Sequence, residues 1–125
     1  MEKIEDPEII AMQFHDCINN RNVEGLLELM TDDHVFIDMA NTRIEGKSEV
    51  ISMAWIPFFN IFPDYRNVIE NVSVKNQTVI MRGYSVCSDE RLNKLHAVWV
   101  AEVVDNKVNV WHIYPNDGYL ATKQE

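Results

Sequence analysis

Apolar residues recur at helical spacing in the first half of the chain and at alternate positions in the second. Ile10, Phe14, Cys17 and Ile18 make one stripe of a first helix, which Asp6 caps, with Pro7 suited to its first position and Glu8 to the positive end of its dipole. The polar run Asn19-Asn20-Arg21-Asn22 ends it. Asn22 then caps a second short helix carrying Val23, Leu26, Leu27 and Met30 inward, and Thr31-Asp32-Asp33 breaks the pattern. His34-Val35-Phe36-Ile37-Asp38 reads as a strand, followed by a turn at Asn41-Thr42 and a return through Ile44. Gly46-Lys47-Ser48 opens a third helix with Val50, Ile51, Ala54, Trp55, Phe58 and Phe59 on it. Pro57 has no N–H to give that helix, which predicts a kink or break there, before an exit loop over residues 60–64.

From Tyr65 the period changes to two, and residues 65–75, 78–89, 92–104 and 107–114 are four strands. Asn76-Gln77, Glu90-Arg91 and Asp105-Asn106 supply the short turns between them, so the strands form an antiparallel meander. A sheet with one apolar face needs cover, and the three N-terminal helices provide it. The expected fold is therefore α+β: a cone-shaped, curved antiparallel sheet packed on three N-terminal helices, one domain over residues 1–125, with a cavity at the wide end. Residues 121–125 are expected to fray.

Composition narrows the function. Eleven Lys+Arg against twenty Asp+Glu give a formal charge of −9, which repels a phosphate backbone, so no nucleic-acid partner is expected. No apolar run approaches a membrane span, and the start MEKIEDPEII carries no basic leader or long apolar segment, so a cytoplasmic location without a membrane is expected. The sequons at Asn71 and Asn76 are then coincidental. Cys17 and Cys87 stand alone and read as reduced, buried thiols. No HxxxH or HxH spacing, GxSxG motif or Gly-rich phosphate loop occurs, so neither a metal nor another cofactor is expected.

Several segments, in order, resemble the NTF2-like superfamily and within it the SnoaL-like, polyketide-cyclase-like branch. Residues 22–35 (NVEGLLELMTDDHV) resemble that branch's second helix leading into its first strand. Residues 44–50 (IEGKSEV) resemble its approach to the third helix, and residues 58–64 (FFNIFPD) its Phe-Pro-Asp exit. His96 through Asp105-Asn106-Lys107 to Trp111-His112-Ile113-Tyr114 resembles its paired C-terminal strands. The resemblance implies a cystatin-like α+β barrel that commonly dimerises, on a fold that hosts isomerases, cyclases, hydrolases and non-catalytic binders alike.

It also suggests where chemistry would sit. Asp38 falls where the ketosteroid isomerases of the superfamily place a general base, but Phe14 and Trp99 stand near their two oxyanion donors, so steroid isomerisation is not expected. His112 follows Trp111 where many SnoaL-like proteins carry an acid/base carboxylate, and His96 falls at a histidine often found in cyclase pockets. The separation 112 − 96 = 16 suits two strands paired across a tight hairpin. Val108, Val110, His112 and Tyr114 share one face by alternation, and a bulge would flip that assignment. Two readings stay open. In one, Asp38, His112 and His96 are cofactor-free acid/base groups acting on a small, largely apolar substrate within walls of Phe14, Phe36, Trp55, Phe59, Tyr84, Trp99 and Tyr114. In the other, the pocket only binds a small apolar or partly polar ligand, and homodimerisation through the outer sheet face, at Val74, Val79, Val86, Val103 and Val110, is the main role.

Overall fold

The computed structural model describes residues 3–115, and the fraying expected at residues 121–125 lies outside the described residues. Local capping sets the first two helices. Asp6 accepts the Glu8 N–H at 2.9 Å and Pro7 opens α1 (Pro7–Asn19), which buries Ile10, Ala11, Phe14, His15 and Ile18. Asn22 accepts the Gly25 N–H at 3.0 Å and caps α2 (Val23–Leu29). The chain passes directly into β1 (Met30–Ile37), which starts earlier than its apolar pattern suggests, and returns through β2 (Arg43–Glu45).

The third helical run is continuous: α3 (Lys47–Val50), a π-helical turn (Ile51–Trp55) and α4 (Ile56–Ile61). Of the kink or break expected at Pro57 there is no break, and the helix widens into the π-helical turn just before it. The Ile56 N–H reaches back to the Ile51 carbonyl, and this wider turn gives the proline ring room in the first turn of α4.

The remaining strands are β3 (Arg66–Lys75), β4 (Thr78–Val86), β5 (His96–Val104) and β6 (Lys107–Pro115), in a sheet ordered β2-β1-β6-β5-β4-β3. The meander is antiparallel as expected, and β1 joins it by pairing parallel to β6. Asn76, Asp105 and Asn106 adopt the positive φ that the two tight hairpins require. The expected hairpin at Glu90-Arg91 is replaced by a longer loop over residues 87–95. Asp89 holds the Arg91 N–H at 2.9 Å and its guanidinium at 2.6 Å, while Asp64 accepts from the Ser88 N–H at 3.1 Å and the Cys87 thiol at 3.3 Å. Those local bonds end the ladder early, and Lys94 at φ 60° turns the chain back so that its N–H meets the Ser85 carbonyl at 2.7 Å.

Two bulges bend the sheet into its cone. One lies between Ile69 and Asn71, opposite Gly83, where a Cβ would stand 1.9 Å from the Val68 carbonyl oxygen; only glycine permits that approach. The other is Asn109: Val103 pairs with Val108 and Glu102 with Val110, leaving Asn109 over. The Asn109 amide donates to Thr31 Oγ1 at 2.9 Å and Asp33 Oδ1 at 3.0 Å, tying the bulge to β1.

The helices cover the inner face, where Met81, Trp99, Ala101, Val103, Val108 and Trp111 join Phe14, Ile18 and Leu26 in one core. A smaller cluster of Val98, Val100, Ile80 and Tyr114 lies on the outer face. The outer surface therefore differs from the expected valine set, since Val79 and Val103 are buried in the inner core while Val74 and Val86 are exposed. Both cysteines are free thiols, Cys87 buried and Cys17 half-buried.

Candidate functional site

The wide end of the cone encloses a cavity of about 520 Å³ between the α3–α4 run, the β1–β2 hairpin and the inner sheet face. Phe36, Trp55, Phe58, Trp99 and Ile113 supply apolar wall, Leu92 and Leu95 fold over it from the β4–β5 loop, and Met53 lines it although 64 % exposed, which places Met53 at the mouth. The π-helical turn carries Ala54 and Trp55 to the wall. Behind Trp55, Phe59 stacks at 5.7 Å and so fixes the indole rather than lining the space.

One end of the cavity is polar. Asn67 on β3 and Ser85 on β4 are direct cross-strand partners on the inner face, and Tyr65 precedes Asn67 by the strand period. The Asn19 side-chain amide bonds the Asn67 backbone both ways, donating to its carbonyl at 3.0 Å and accepting from its N–H at 2.9 Å. This clamp to α1 holds Asn67 in place, and its side chain is 3 % exposed with Oδ1 lacking any protein partner. The Ser85 hydroxyl donates to the Leu92 carbonyl and lies beside the Tyr65 phenol. Burial pushes the Tyr65 phenol well above its ordinary range, with the neighbouring Ser85 hydroxyl partly opposing, and the phenol stays protonated. The Trp55 indole N–H also lacks a protein partner.

The sequence-derived candidates separate into three places. Phe36, Asp38, Trp55 and Trp99 line the cavity. Phe14 and Phe59 are core residues, with Phe14 packed 4.7 Å from Trp111 and 5.7 Å from His34. Tyr84, His96, His112 and Tyr114 lie on the outer face, away from the cavity: Tyr84 pairs with His96, His112 pairs with Val100, and His112 stacks on Tyr114 at 3.8 Å. For the two on β6 the Asn109 bulge is the reason, because it puts Val108 inside while Val110, His112 and Tyr114 turn outward. Burial lowers the His112 pKa, and the Glu102 carboxylate partly opposes it.

Asp38 and His112 are thus divided by the sheet. Across the β1–β6 pair His112 stands beside Ile37, whereas Phe36 faces inward with Trp111. The Asp38 carboxylate accepts the Ala40 and Thr42 N–H groups, each at 2.9 Å, and its backbone N–H donates to the Thr42 carbonyl at 3.0 Å. It caps the β1–β2 turn while lining the cavity lip. Sequence reasoning missed Tyr65, Asn67 and Ser85; their signal was parity, two residues on one strand face after the Phe-Pro-Asp exit and a serine two places past Gly83.

Two other histidines are buried. His34 Nδ1 lies 2.7 Å from the Val108 carbonyl, which can only accept, so Nδ1 carries the proton and the unpartnered Nε2 is bare. His15 is 5 % exposed, with Asp16 3.5 Å from its Nδ1 as its one charged neighbour on α1. Burial lowers both pKa values, against opposing effects from the Val108 carbonyl and Asp33 for His34 and from Asp16 and the Asn67 backbone for His15. Among the described residues no three His, Cys, Asp or Glu side chains cluster as a metal site, and no helix is long and apolar enough to cross a membrane.

No curated protein matches this sequence. Solved structures do share the fold. A protein of Shewanella putrefaciens CN-32 provisionally assigned as a SnoaL-like polyketide cyclase superposes with TM-score 0.78 at 15% identity, over 98% of this chain and 86% of its own. A provisionally assigned ketosteroid isomerase of Kribbella flavida DSM 17836 gives 0.71 at 20% identity, over 86% and 76%. An NTF2-like protein of unknown function from Cytophaga hutchinsonii ATCC 33406 gives 0.73 at 11% identity, over 97% and 99%. At such identities the likeness is one of fold, an NTF2-like α+β cone, and three different assignments on one fold leave the activity open. The sequence profile of the SnoaL-like domain matches residues 11–111, spanning both the helices and the strands that build the cavity, and the chain belongs to the SnoaL-like domain family.

Proposed function

We propose that this protein binds a small, largely apolar molecule in the cone cavity and that binding, rather than histidine-based acid/base catalysis, is what the site is built for. The cavity carries the reading: about 520 Å³ walled by Phe36, Trp55, Phe58, Trp99 and Ile113, with both catalytic histidine candidates on the other side of the sheet. A space of that size and lining suits a molecule of two or three fused rings. Asp38, Phe36, Trp55 and Trp99 are the ligand-contacting residues among those the sequence singled out.

A second copy of the chain is the proposed protein partner, docking on the outer sheet face around Ile80 and Tyr114, which pack over Val98 and Val100, and a cytoplasmic location accords with the free thiols. Proton transfer by Asp38 is the second reading, favoured by its place on the cavity wall. Its weakness is that the carboxylate is already committed to two backbone N–H groups.

The test is titration with the neutral fluorophore N-phenyl-1-naphthylamine. Saturable binding of one probe per chain is expected, lost in Ala97→Phe, which fills the cavity from the sheet side, and kept in His112→Ala. Absence of saturable binding, or binding that survives Ala97→Phe in a folded protein, contradicts the reading.

A further inference from the structure

We infer that the cavity selects neutral ligands bearing a hydroxyl or comparable hydrogen-bonding group, placed against Asn67 and Tyr65, and rejects carboxylates of the same shape. The inference rests on the cavity being a binding site and names the chemistry that site recognises.

The wall is not uniformly apolar. Apart from Asp38 and Thr42 at the lip, its polar groups converge at one end, where Asn67, Ser85 and Tyr65 meet, and Asn67 is held there by bonds to α1. Asn19 spends its whole side chain on the Asn67 backbone, and Arg21 in turn braces Asn19 by donating to its carbonyl at 2.6 Å. The result is a primary amide at the base of a greasy pocket, 3 % exposed, with unfilled hydrogen-bonding capacity. Burying an amide without partners is unfavourable, and a ligand hydroxyl that pairs with it removes that penalty. The Tyr65 phenol, kept protonated by burial beside Ser85, adds an O–H at the same end.

Charge excludes the alternative. Among the described residues the cavity is lined by no Lys, Arg or His, and its one ionisable carboxyl is Asp38. A ligand carboxylate would shed its water against apolar wall with no cation to replace it, and would enter a chain of formal charge −9. A neutral hydroxyl meets neither obstacle. A site built to bond a ligand group also discriminates against the analogue that lacks it, because the protein's own buried group is then left unpaired.

Three probes of one shape test this: naphthalene, 2-naphthol and 2-naphthoate, titrated by calorimetry into the full chain. The expected order is 2-naphthol tighter than naphthalene by about three- to tenfold, with 2-naphthoate weaker than both. In Asn67→Leu the preference for 2-naphthol over naphthalene should collapse toward unity while naphthalene binding persists. Should Asn67→Leu fail to fold, Tyr65→Phe, which removes one oxygen only, should reduce the same preference. Asn19 is a positioning residue, so Asn19→Ala should weaken 2-naphthol more than naphthalene. Equal binding of naphthalene and 2-naphthol to the wild type, or tighter binding of 2-naphthoate, overturns the inference and leaves the cavity reading intact. If none of the three binds, both fall.

Discussion

Acid should destabilise this protein well above the range where its carboxylates titrate, and His34 is the most direct place to see it. The imidazole is fully buried, its Nδ1–H is committed to the Val108 carbonyl at 2.7 Å, and its Nε2 faces no acceptor. Protonation would create a buried N–H with no partner and a charge whose nearest counter-ion is Asp33, so burial holds the folded pKa below the ordinary 6.5. His15 is shifted in the same direction, with Asp16 opposing. Between the folded and unfolded pKa values the unfolded chain carries a proton that the folded chain lacks, so unfolding takes up protons and acid favours it. Stability is therefore full above about pH 6.5 and declines as pH falls from there toward the folded pKa. Each imidazole can cost at most about 1.4 kcal/mol per pH unit over that window, so His34 and His15 together contribute at most about 3 kcal/mol between roughly pH 6.5 and 5.5, and the less buried His112 adds to the slope in the same direction. Asp64 and Asp89, whose pKa values are lowered by their bonds to Ser88 and Arg91, lose their contribution only below the ordinary 3.8, which keeps the two windows apart. Urea denaturation midpoints at about pH 7.5, 6.5 and 5.5 measure the slope. His34→Asn places a side-chain amide nitrogen where Nδ1 sits, keeps a donor for Val108 and cannot titrate, so it should remove roughly a third to a half of the slope. A wild-type midpoint that is flat or rises with acid, or a His34→Asn slope equal to wild type, would refute the reasoning.

Other outcomes follow from single contacts. Gly83→Ala should cost well over the ~1 kcal/mol of an ordinary point substitution, read as a lowered urea midpoint, because its methyl collides with the Val68 carbonyl. Asp38→Ala should lower stability by about 1–2 kcal/mol through loss of the turn cap, yet change naphthalene affinity less than threefold, because a carboxylate committed to two backbone N–H groups offers little to an apolar ring. His96→Ala and His112→Ala should leave probe binding unchanged by titration, since both rings are on the outer face. His15→Leu should be at least as stable as wild type at about pH 5.5, because neither ring nitrogen makes a well-formed hydrogen bond that the change would remove.

The elements set by neighbours in sequence were legible in the sequence. Asp6 and Asn22 cap their helices through bonds two and three residues away, and the positive-φ turns at Asn76 and Asp105-Asn106 are decided by their own side chains. What stayed hidden depends on partners far along the chain. The Asn109 bulge is held by Thr31 and Asp33, and nothing in the alternation of Val108, Val110, His112 and Tyr114 reports it. That single extra residue moved His112 and Tyr114 from inside to outside. Similarly, Asp64 and Asp89 turn residues 87–95 into a loop, which strand-like Leu92 and Leu95 do not announce. The apolar side of the cavity was easier: Trp55, Phe36 and Trp99 were named from period together with the family resemblance, while its polar end depends on Asn19 reaching Asn67 across 48 residues.

The central claim is that ligand binds inside the cone, and it is tested most directly by recording ¹⁵N–¹H spectra during titration with 2-naphthol. The Trp55 and Trp99 indole N–H signals and the Asn67 side-chain amide should shift together and saturate, while the Trp111 indole, buried outside the cavity wall, and the backbone amides of His96 and His112 stay in place. Shifts confined to His96, His112 and Tyr114 with Trp55 and Trp99 silent would put binding on the outer face and contradict the account.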